Sequence, residues 1–443
     1  MSIKIPLENL SEELQNSMGV ELKIDINAST VKKSRHRKGP NPPEKYMYPY
    51  EIVECDGKDE LFLPFSYGVS KGFSRPNRKC FPQTRTRFEK ELRPEQKIVK
   101  KEAVRRLSKT GSVIVSAFPG FGKTATSLNI ASNILKMKTL IVVNRIILLK
   151  QWAGAIEFFI PGARVQKLEA KTAKDEDADF YIINAINVPK RDRGSYADIG
   201  VLIVDELHQI MSEKLSTCMA MVCPRYLIGL SATPYRMDGM NILIDLFFGT
   251  YKIDRPLRRY HIVYKIQTKF VPTLEEGARG LNWGKVIESQ CDNTERNEMI
   301  VRIVKMFPKR VFLIITKRVS QGRYLLKRLK EEGEDVTSLI GVEQEFEYSA
   351  RILVGISQKT GTGFDHKRLN TLILATDVLN YFVQYLGRIF RTEDDGVNIP
   401  WVFDIVDDNS TLKSHARSRQ KVFTECLGVV KNFSKEYPDF PVC

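Results

Sequence analysis

Short apolar runs recur along most of this chain, and their spacing constrains the fold more than any other feature of the sequence. Each run has only four or five residues, and longer stretches with helical periodicity separate the runs. Runs of this kind are typical of parallel strands that are buried on both faces and joined by crossover helices. A first series predicts strands at 112–116, 139–143, 179–183, 201–204 and 226–230. A second series predicts strands at 311–315, 352–356, 371–374 and 401–405.

Two series of strands within 443 residues predict an α/β protein with two parallel-sheet domains in tandem. We expect the first domain over 89–250 and a connecting segment over 251–295, where the sequence is polar and irregular. The second domain is expected over 296–443, ending in a basic tail. Residues 1–88 are interpreted as a small β-containing accessory region. Its basic run at 32–43 is a flexible linker, an arm that contacts phosphates or a targeting signal.

The balance of charges narrows the classes of partner. The net charge is +16, which favours a polyanion such as nucleic acid or an anionic membrane surface. No apolar run approaches the roughly 18 residues that span a bilayer, and no basic amphipathic helix with aromatic anchors is present, so we expect no membrane partner. The seven cysteines are scattered and include no CxxC pair. This pattern predicts reduced thiols in an intracellular, reducing compartment and no zinc site.

A glycine-rich loop follows the first predicted strand. The stretch AFPGFGKT at 117–124 fits the phosphate-loop template with Ala117 at its first position, and a predicted helix follows it. Glycines let backbone amides approach phosphate oxygens, and the helix N-terminus attracts the same anion. Lys123 would reach the β- and γ-phosphates of a nucleoside triphosphate, and the Thr124 hydroxyl would hold Mg²⁺. The loop residues expected to contact the nucleotide are Pro119, Gly120, Phe121, Gly122, Lys123, Thr124 and Ala125.

Two adjacent carboxylates end another predicted strand. VLIVDELHQI begins at Val201 with four apolar residues and then places Asp205 beside Glu206. Carboxylates this close repel each other, and Mg²⁺ with Lys123 nearby would relieve that repulsion. Asp205 therefore fits a magnesium ligand, and Glu206 fits the general base that activates water. Since phosphoryl transfer to another substrate needs no hydrolytic glutamate, the pair favours an ATPase.

These residues belong to an ordered set of motifs that resembles superfamily 2 helicases of the DExH type. Within the superfamily, SATPYRMDG and LLKQW are most similar to the branch of poxvirus transcript-release DNA helicases, phage recombination helicases and transcription-repair helicases. The motifs are AFPGFGKT (117–124), VNRIILLKQW (143–152), VDELH (204–208), GLSATPYRMDG (229–239), TGTGFD (360–365) and QYLGRIFR (384–391).

The resemblance implies two RecA-like domains with ATP in the cleft between them. Gln96 would contact adenine, and Gly363 and Asp365 would sense ATP from the second domain. Gln384, Arg388 and Arg391 lie at i, i+4 and i+7, so we expect them on one helical face. The resemblance makes all three catalytic, with Arg388 and Arg391 acting as arginine fingers on the γ-phosphate.

The resemblance also implies residues that contact nucleic acid or couple its movement to hydrolysis. His208 and the SAT segment would report the nucleotide state to the strand-binding surface. Acidic residues in EQEFEYSA make a further contact at that segment doubtful. The predicted coupling and nucleic-acid-binding residues are Arg145, His208, Ser231, Thr233, Arg236, Thr316 and Lys317.

The sequence thus predicts an ATP- and Mg²⁺-dependent nucleic-acid motor, with DNA favoured over RNA and a monomeric form expected. The resemblance to this branch implies that the protein acts in transcription, repair or recombination. It also implies that the protein is viral. Three alternatives stay open. The motor could displace RNA or protein from DNA without separating strands, or act on RNA, and a non-enzymatic scaffold with a vestigial ATP site is a third reading. The basic tail from Ser410 is expected to cap the second domain rather than to bind nucleic acid.

Overall fold

The computed structural model divides the protein into two units. The first contains the chain up to Ala117 and Phe121–Arg255, and the second contains Phe118–Gly120 and Pro256–Cys443. None of the helices in the described ranges is both long and apolar enough to cross a bilayer. The structure describes residues 2–26, 45–55, 57–212, 215–236, 240–277, 280–341, 343, 345–360, 366–379, 382–391 and 398–443. The basic run predicted at 32–43 lies outside these residues.

The N-terminal residues form a small antiparallel sheet of strand order β1-β5-β4. A small sheet of this kind needs an apolar face or packing against another element to be stable. The inward side chains Ile3, Leu61 and Leu63 lie in the same apolar core as Met219 and Leu243 of the first α/β unit. This region is therefore packed into the first unit. Its elements are β1 (Ser2–Pro6), α1 (Glu12–Glu21), β2 (Ile24–Asp25), β3 (Tyr46–Met47), β4 (Glu51–Cys55), β5 (Lys58–Pro64) and α2 (Phe65–Ser70).

The first unit is built on a seven-stranded sheet of order β12-β6-β11-β10-β7-β9-β8, in which every neighbouring pair is parallel. All five predicted strands of the first series are present. The edge strands β8 and β12 were not predicted. Each has four residues of which only one is buried, so neither contains an apolar run. The strands are β6 (Ser112–Ala117), β7 (Thr139–Val143), β8 (Val165–Leu168), β9 (Phe180–Asn184), β10 (Val201–Asp205), β11 (Tyr226–Ser231) and β12 (Lys252–Arg255).

Helices cover this sheet. The first of them starts with Pro94 in its first turn and ends at Thr110, and the Gly111 that follows has a φ of 77°, which suits a helix end. Val99, Ala103 and Leu107 of this helix are buried, whereas Ile98 is 60% exposed. The helices are α3 (Pro94–Thr110), α4 (Lys123–Asn129) with a π-helix at Ile130–Leu135, α5 (Ile146–Phe159), α6 (Leu207–Ile210) and α7 (Asn241–Phe248). Short 3₁₀ helices lie at Leu7–Asn9, Arg78–Cys80, Ala185–Lys190, Arg193–Tyr196 and Ser216–Met221.

The second unit contains another seven-stranded parallel sheet, of order β17-β18-β16-β19-β20-β13-β21. All four predicted strands of the second series are present. The strands, with the small hairpin β14–β15, are β13 (His261–Gln267), β14 (Glu276–Gly277), β15 (Gly280–Leu281), β16 (Phe312–Thr316), β17 (Val336–Leu339), β18 (Ile352–Ile356), β19 (Thr371–Leu374), β20 (Trp401–Val406) and β21 (Gly428–Asn432).

The interpretation of 251–295 as a connecting segment needs correction. This stretch contributes β12 to the first sheet and β13 to the second, so the units meet in sequence at Arg255 and Pro256. β13 was missed because His261 and Lys265 interrupt its apolar pattern, although Val263, Tyr264 and Ile266 are buried. Polar residues are tolerated there because His261 hydrogen-bonds a backbone carbonyl through Nδ1.

Buried charges hold the helices of the second unit to its sheet. The Arg296 guanidinium is wholly buried and contacts Asp407 at 3.0 Å. Arg419 contacts Asp377 at 2.6 Å and Asp404 at 2.8 Å, so the helix of the basic tail does cap this unit. The helices are α8 (Trp283–Asp292), α9 (Thr294–Met306), α10 (Val319–Glu331), α11 (Ser357–Thr360), α12 (Phe382–Ile389), α13 (Ser410–Glu425) and α14 (Phe433–Glu436).

Candidate functional site: the carboxyl edge of the first sheet

The predicted phosphate loop joins β6 to α4. Gly120 and Gly122 have φ angles of 90° and 91°, which side-chain-bearing residues rarely adopt. A Cβ on Gly122 would lie 2.2 Å from Gln96 Nε2, so position 122 has no room for a side chain. The loop backbone is therefore held in a conformation that glycine alone accepts.

Gln96 supports this loop from α3. Its Oε1 accepts a hydrogen bond from Arg93 N at 2.8 Å, and its Nε2 donates one to Phe121 O at 2.9 Å. The Arg93 guanidinium donates to the same carbonyl. Only 5% of the surface of Gln96 is exposed. In this structure Gln96 positions the loop, and its contact with adenine stays a prediction. Arg93 was not predicted, although it directly precedes the proline that starts α3.

Lys123 begins α4, and Thr124 and Ala125 complete its first turn. The Lys123 ammonium donates to Ala117 O at 2.7 Å, so its side chain folds back over the end of β6. Backbone N–H groups at the start of a helix lack intrahelical partners and favour an anion. This turn therefore presents one ammonium, one hydroxyl and several backbone donors, a set suited to phosphate.

Asp205 ends β10, two strands from β6 across β11. Only 9% of its surface is exposed, and its carboxylate accepts from Trp152 Nε1 at 2.9 Å and from Glu206 N at 2.9 Å. Burial, with the neighbouring Glu206 carboxylate, raises the pKa of Asp205, while Trp152 and Lys123 oppose the shift. No role was predicted for Trp152, although Trp152 is the last residue of the motif VNRIILLKQW.

Glu206 occupies an unusual backbone position. Its φ and ψ are 48° and 49°, the left-handed region, which costs a non-glycine residue roughly 1–2 kcal/mol. The turn takes the chain directly from β10 into α6. Strained positions of this kind concentrate at functional sites, where the surrounding structure maintains them.

His208 is 1% exposed and shares a 2.8 Å hydrogen bond through Nδ1 with Ser231 Oγ. Ser231 Oγ also accepts from Thr233 N at 3.0 Å. The His208–Ser231 contact therefore connects the end of β11 to helix α6, which follows β10. Burial, together with the positive charges of Arg236, Lys123 and Arg145, lowers the pKa of His208 to about 3. The imidazole is therefore neutral at physiological pH and is not a proton donor there.

Polar side chains extend this network along the sheet edge. Arg236 donates to His208 O, and Asn241 Oδ1 accepts from Arg236 N at 2.7 Å. Gln209 Nε2 lies 3.3 Å from His208 Nε2, and its Oε1 accepts from Asn144, which follows β7 next to Arg145. The sequence did not single out Asn144, Gln209 or Asn241, because amides in loops are common and only their partners distinguish them.

The structure thus gathers the predicted residues of the first unit at one sheet edge. β6, β11 and β10 are adjacent, and the carboxyl ends of parallel strands share an edge, where α/β folds bind ligands. Residues from these three strand ends and from the end of β7 share hydrogen bonds or electrostatic contacts. They are Lys123, Arg145, Asp205, Glu206, His208, Ser231, Thr233 and Arg236.

The remaining predicted residues belong to the second unit. Gln384 and Arg388 lie on α12 and are buried. The prediction that Arg391 shares their helix is wrong, because α12 ends at Ile389, two residues before Arg391. Thr316 ends β16 with its hydroxyl 3.4 Å from Gly355 O, and Lys317 follows it. Burial lowers the pKa of Lys317. Gly363 and Asp365 lie outside the described residues.

Comparisons with known proteins agree with this architecture. A family model described as "Type III restriction enzyme, res subunit" matches residues 89–236. "Putative helicase 161L" of Invertebrate iridescent virus 6 is 41% identical over 402 residues, covering 85% of this chain and 90% of that protein. "Putative helicase 055L" of Frog virus 3 is 32% identical, covering 82% and 84%. In fold, "S. cerevisiae Dbp5 bound to RNA and ADP BeF3" is similar with a TM-score of 0.55 and 13% identity, covering 78% of this chain and 95% of that one.

Proposed function

Because the chain belongs to the superfamily 2 helicases and is an ATP-dependent nucleic-acid motor, we propose that the carboxyl edge of the first sheet hydrolyses its ATP. One observation carries the proposal: Lys123, the Asp205–Glu206 pair and the His208–Ser231 contact converge on adjacent strand ends. Lys123 and the loop amides would hold the β- and γ-phosphates. Glu206 would accept the proton of the attacking water.

The residues at this edge fit Mg²⁺, which the family uses with ATP. Mg²⁺ prefers hard oxygen ligands, and the edge provides the Asp205 carboxylate and the Thr124 hydroxyl. Burial and the neighbouring Glu206 carboxylate raise the pKa of Asp205, and Lys123 offsets only part of that shift. Bound there, Mg²⁺ would neutralise charge on the phosphates during hydrolysis.

For the second unit, the family resemblance remains the support for a catalytic role. We propose that Arg388 and Arg391 contact the γ-phosphate during hydrolysis and that Gln384 acts with them. Burial of Gln384 and Arg388 within α12 restricts their rotamers, which would reduce the entropy lost on forming such contacts. Gly363 and Asp365 keep their predicted role of sensing ATP.

We propose that His208 couples hydrolysis to movement along nucleic acid rather than taking part in proton transfer. Its low pKa leaves it neutral, and its bond to Ser231 links the Asp205–Glu206 turn to the SAT segment. Arg236, which donates to His208 O, and Arg145 are candidates for backbone phosphate contacts, as are Thr316 and Lys317 in the second unit.

Replacing His208 with alanine is expected to preserve most basal ATP hydrolysis while uncoupling it from translocation. The substitution removes the link to Ser231 but leaves Lys123, Asp205 and Glu206 in place. Basal ATPase rate and strand displacement per ATP consumed should be measured on the same preparation, after thermal unfolding shows that it is folded. A proportional loss of both rates would place His208 in the hydrolytic step instead.

DNA is the proposed nucleic-acid substrate, because the motif pattern is most similar to that of superfamily members that act on DNA. The net charge of +16 favours binding to a polyanion. The alternatives are an RNA helicase and a translocase that strips RNA or protein from DNA without separating strands. ATPase stimulation by single-stranded DNA, duplex DNA and RNA across a salt series tests this choice. We expect single-stranded DNA to stimulate most and salt to weaken the effect; stimulation by RNA alone would reverse the assignment. Triplex displacement without duplex unwinding would identify the non-unwinding translocase.

A further inference from the structure

A buried indole contacts the carboxylate that is proposed to bind Mg²⁺. Trp152 is 2% exposed, and its Nε1 donates a hydrogen bond to Asp205 Oδ2 at 2.9 Å. The other oxygen of the carboxylate, Oδ1, accepts a hydrogen bond from Glu206 N at 2.9 Å. Within the described ranges of the chain, no other side chain donates a hydrogen bond to Asp205.

These two donors together orient the plane of the Asp205 carboxylate. The last torsion of an aspartate side chain has broad minima, so its hydrogen bonds decide how the two oxygens point. Each oxygen has about two lone-pair sites. One donor on each oxygen therefore fixes the plane and leaves each oxygen able to accept a further partner, such as Mg²⁺ or a water that Mg²⁺ binds. Without the indole, only the backbone donor of Glu206 would remain.

Helix α5 holds the indole in place. Leu148, Trp152 and Ile156 recur every four residues along α5 and are all buried, so one face of the helix is packed into the first unit. The helix lies against β7 and β9 and against α4, the helix that follows the phosphate loop. Because buried side chains are closely packed, the donor is fixed relative to both the sheet and the phosphate loop.

The requirements of packing alone do not explain an indole at this position. Phenylalanine would fill most of the same volume without adding a buried N–H group that needs an acceptor. The acceptor of the Trp152 N–H is a carboxylate, and hydrogen bonds to ionised groups are shorter and stronger than those between neutral groups. The indole thus provides a directed, charge-assisted contact to a single carboxylate oxygen.

We propose that Trp152 is the positioning residue that orients the Asp205 carboxylate for Mg²⁺. The inference rests on the proposed function, because it takes Asp205 as a residue that binds the metal. Trp152 acts through Asp205 and needs no contact with ATP. Hydrogen bonds to metal-binding side chains commonly have this role, and removing one costs roughly 10–100-fold in metal affinity or activity.

The test measures Mg²⁺ affinity in the full-length chain carrying Trp152→Phe. Fluorescence anisotropy follows the binding of a fluorescent, non-hydrolysable ATP analogue while Mg²⁺ is titrated. The apparent Mg²⁺ affinity is expected to fall roughly 10–100-fold. Binding of the analogue in EDTA should be unchanged, because Lys123 and the phosphate loop remain. Trp401→Phe, which makes the same change in β20 of the second unit, is the matched control and should leave the Mg²⁺ affinity unchanged.

A second variant keeps the shape of the indole, so it decides the question if Trp152→Phe does not fold. The chain has three tryptophans, and Trp283→Phe with Trp401→Phe leaves Trp152 as the only one. Incorporating benzothienylalanine in place of tryptophan then exchanges the ring N–H for sulfur and retains the double ring. Relative to the chain with the two phenylalanine substitutions, it should show the same loss of Mg²⁺ affinity.

The outcomes separate positioning from packing. Unchanged Mg²⁺ affinity in the benzothienylalanine protein would overturn the inference and make Trp152 a packing residue. An equal loss of analogue binding with and without Mg²⁺ would also overturn it, because the orientation of Asp205 matters only when the metal is present. If the unsubstituted chain showed no Mg²⁺-dependent binding, the proposed function would fail, and the role of Trp152 would fail with it.

Discussion

Replacing Lys123 with alanine is expected to lower nucleic-acid-stimulated ATP hydrolysis by roughly 10²–10³-fold, the usual cost of removing a preorganised group that stabilises transition-state charge. The ammonium already lies over the end of β6, bonded to Ala117 O at 2.7 Å, and its charge reaches Asp205. Its removal leaves the Asp205–Glu206 pair without that compensation and weakens contact with the β- and γ-phosphates. The measurement is steady-state ATPase rate with saturating nucleic acid.

The control for this variant is Lys167→Ala, which removes an exposed lysine from the edge strand β8 of the same sheet. It changes the net charge equally and lies outside the predicted site. Normal stimulated hydrolysis by the Lys123 variant would refute the phosphate-loop assignment. Such a result would also revive the scaffold hypothesis, in which the ATP site is vestigial.

Replacing Glu206 with glutamine is expected to reduce hydrolysis by about 10²–10⁴-fold, the range for loss of a general base. Glutamine has nearly the same shape, so the left-handed turn after β10 should persist. ATP affinity should be retained or increased, because one carboxylate fewer repels the phosphates. Single-turnover hydrolysis and equilibrium binding of a fluorescent ATP analogue measure the two effects separately.

Glu157→Gln is the matched control, since Glu157 is an exposed residue of α5 in the same unit. If the Glu206 variant lost nucleotide binding as well as hydrolysis, the residue would serve binding or folding, and another group would activate water. Together, the two variants distinguish phosphate binding by Lys123 from water activation by Glu206.

Much of the fold was predictable because burial on both faces leaves a strong sequence signal. All nine predicted strands are present, each a run of apolar residues inside a parallel sheet. The missed strands β8, β12, β17 and β21 lie at the edges of the two large sheets, and β13 is interrupted by His261 and Lys265. Their side chains are partly polar, so these strands form because of the strands they pair with. The hydrophobic periodicity of a sequence does not show which strands will be neighbours.

The sequence by itself determined which chemical groups are available and where along the chain they fall. Asp205 and Ser231 lie at the ends of apolar runs, and the glycine-rich loop that leads to Lys123 follows another. Since parallel strands end at one edge, their proximity followed from the pattern. Only the tertiary structure decided that Gln96 supports the loop carbonyl of Phe121, that His208 binds Ser231, and that Trp152 donates to Asp205. Such contacts join residues distant in sequence, and a partner's position depends on how whole elements pack, which no local pattern records.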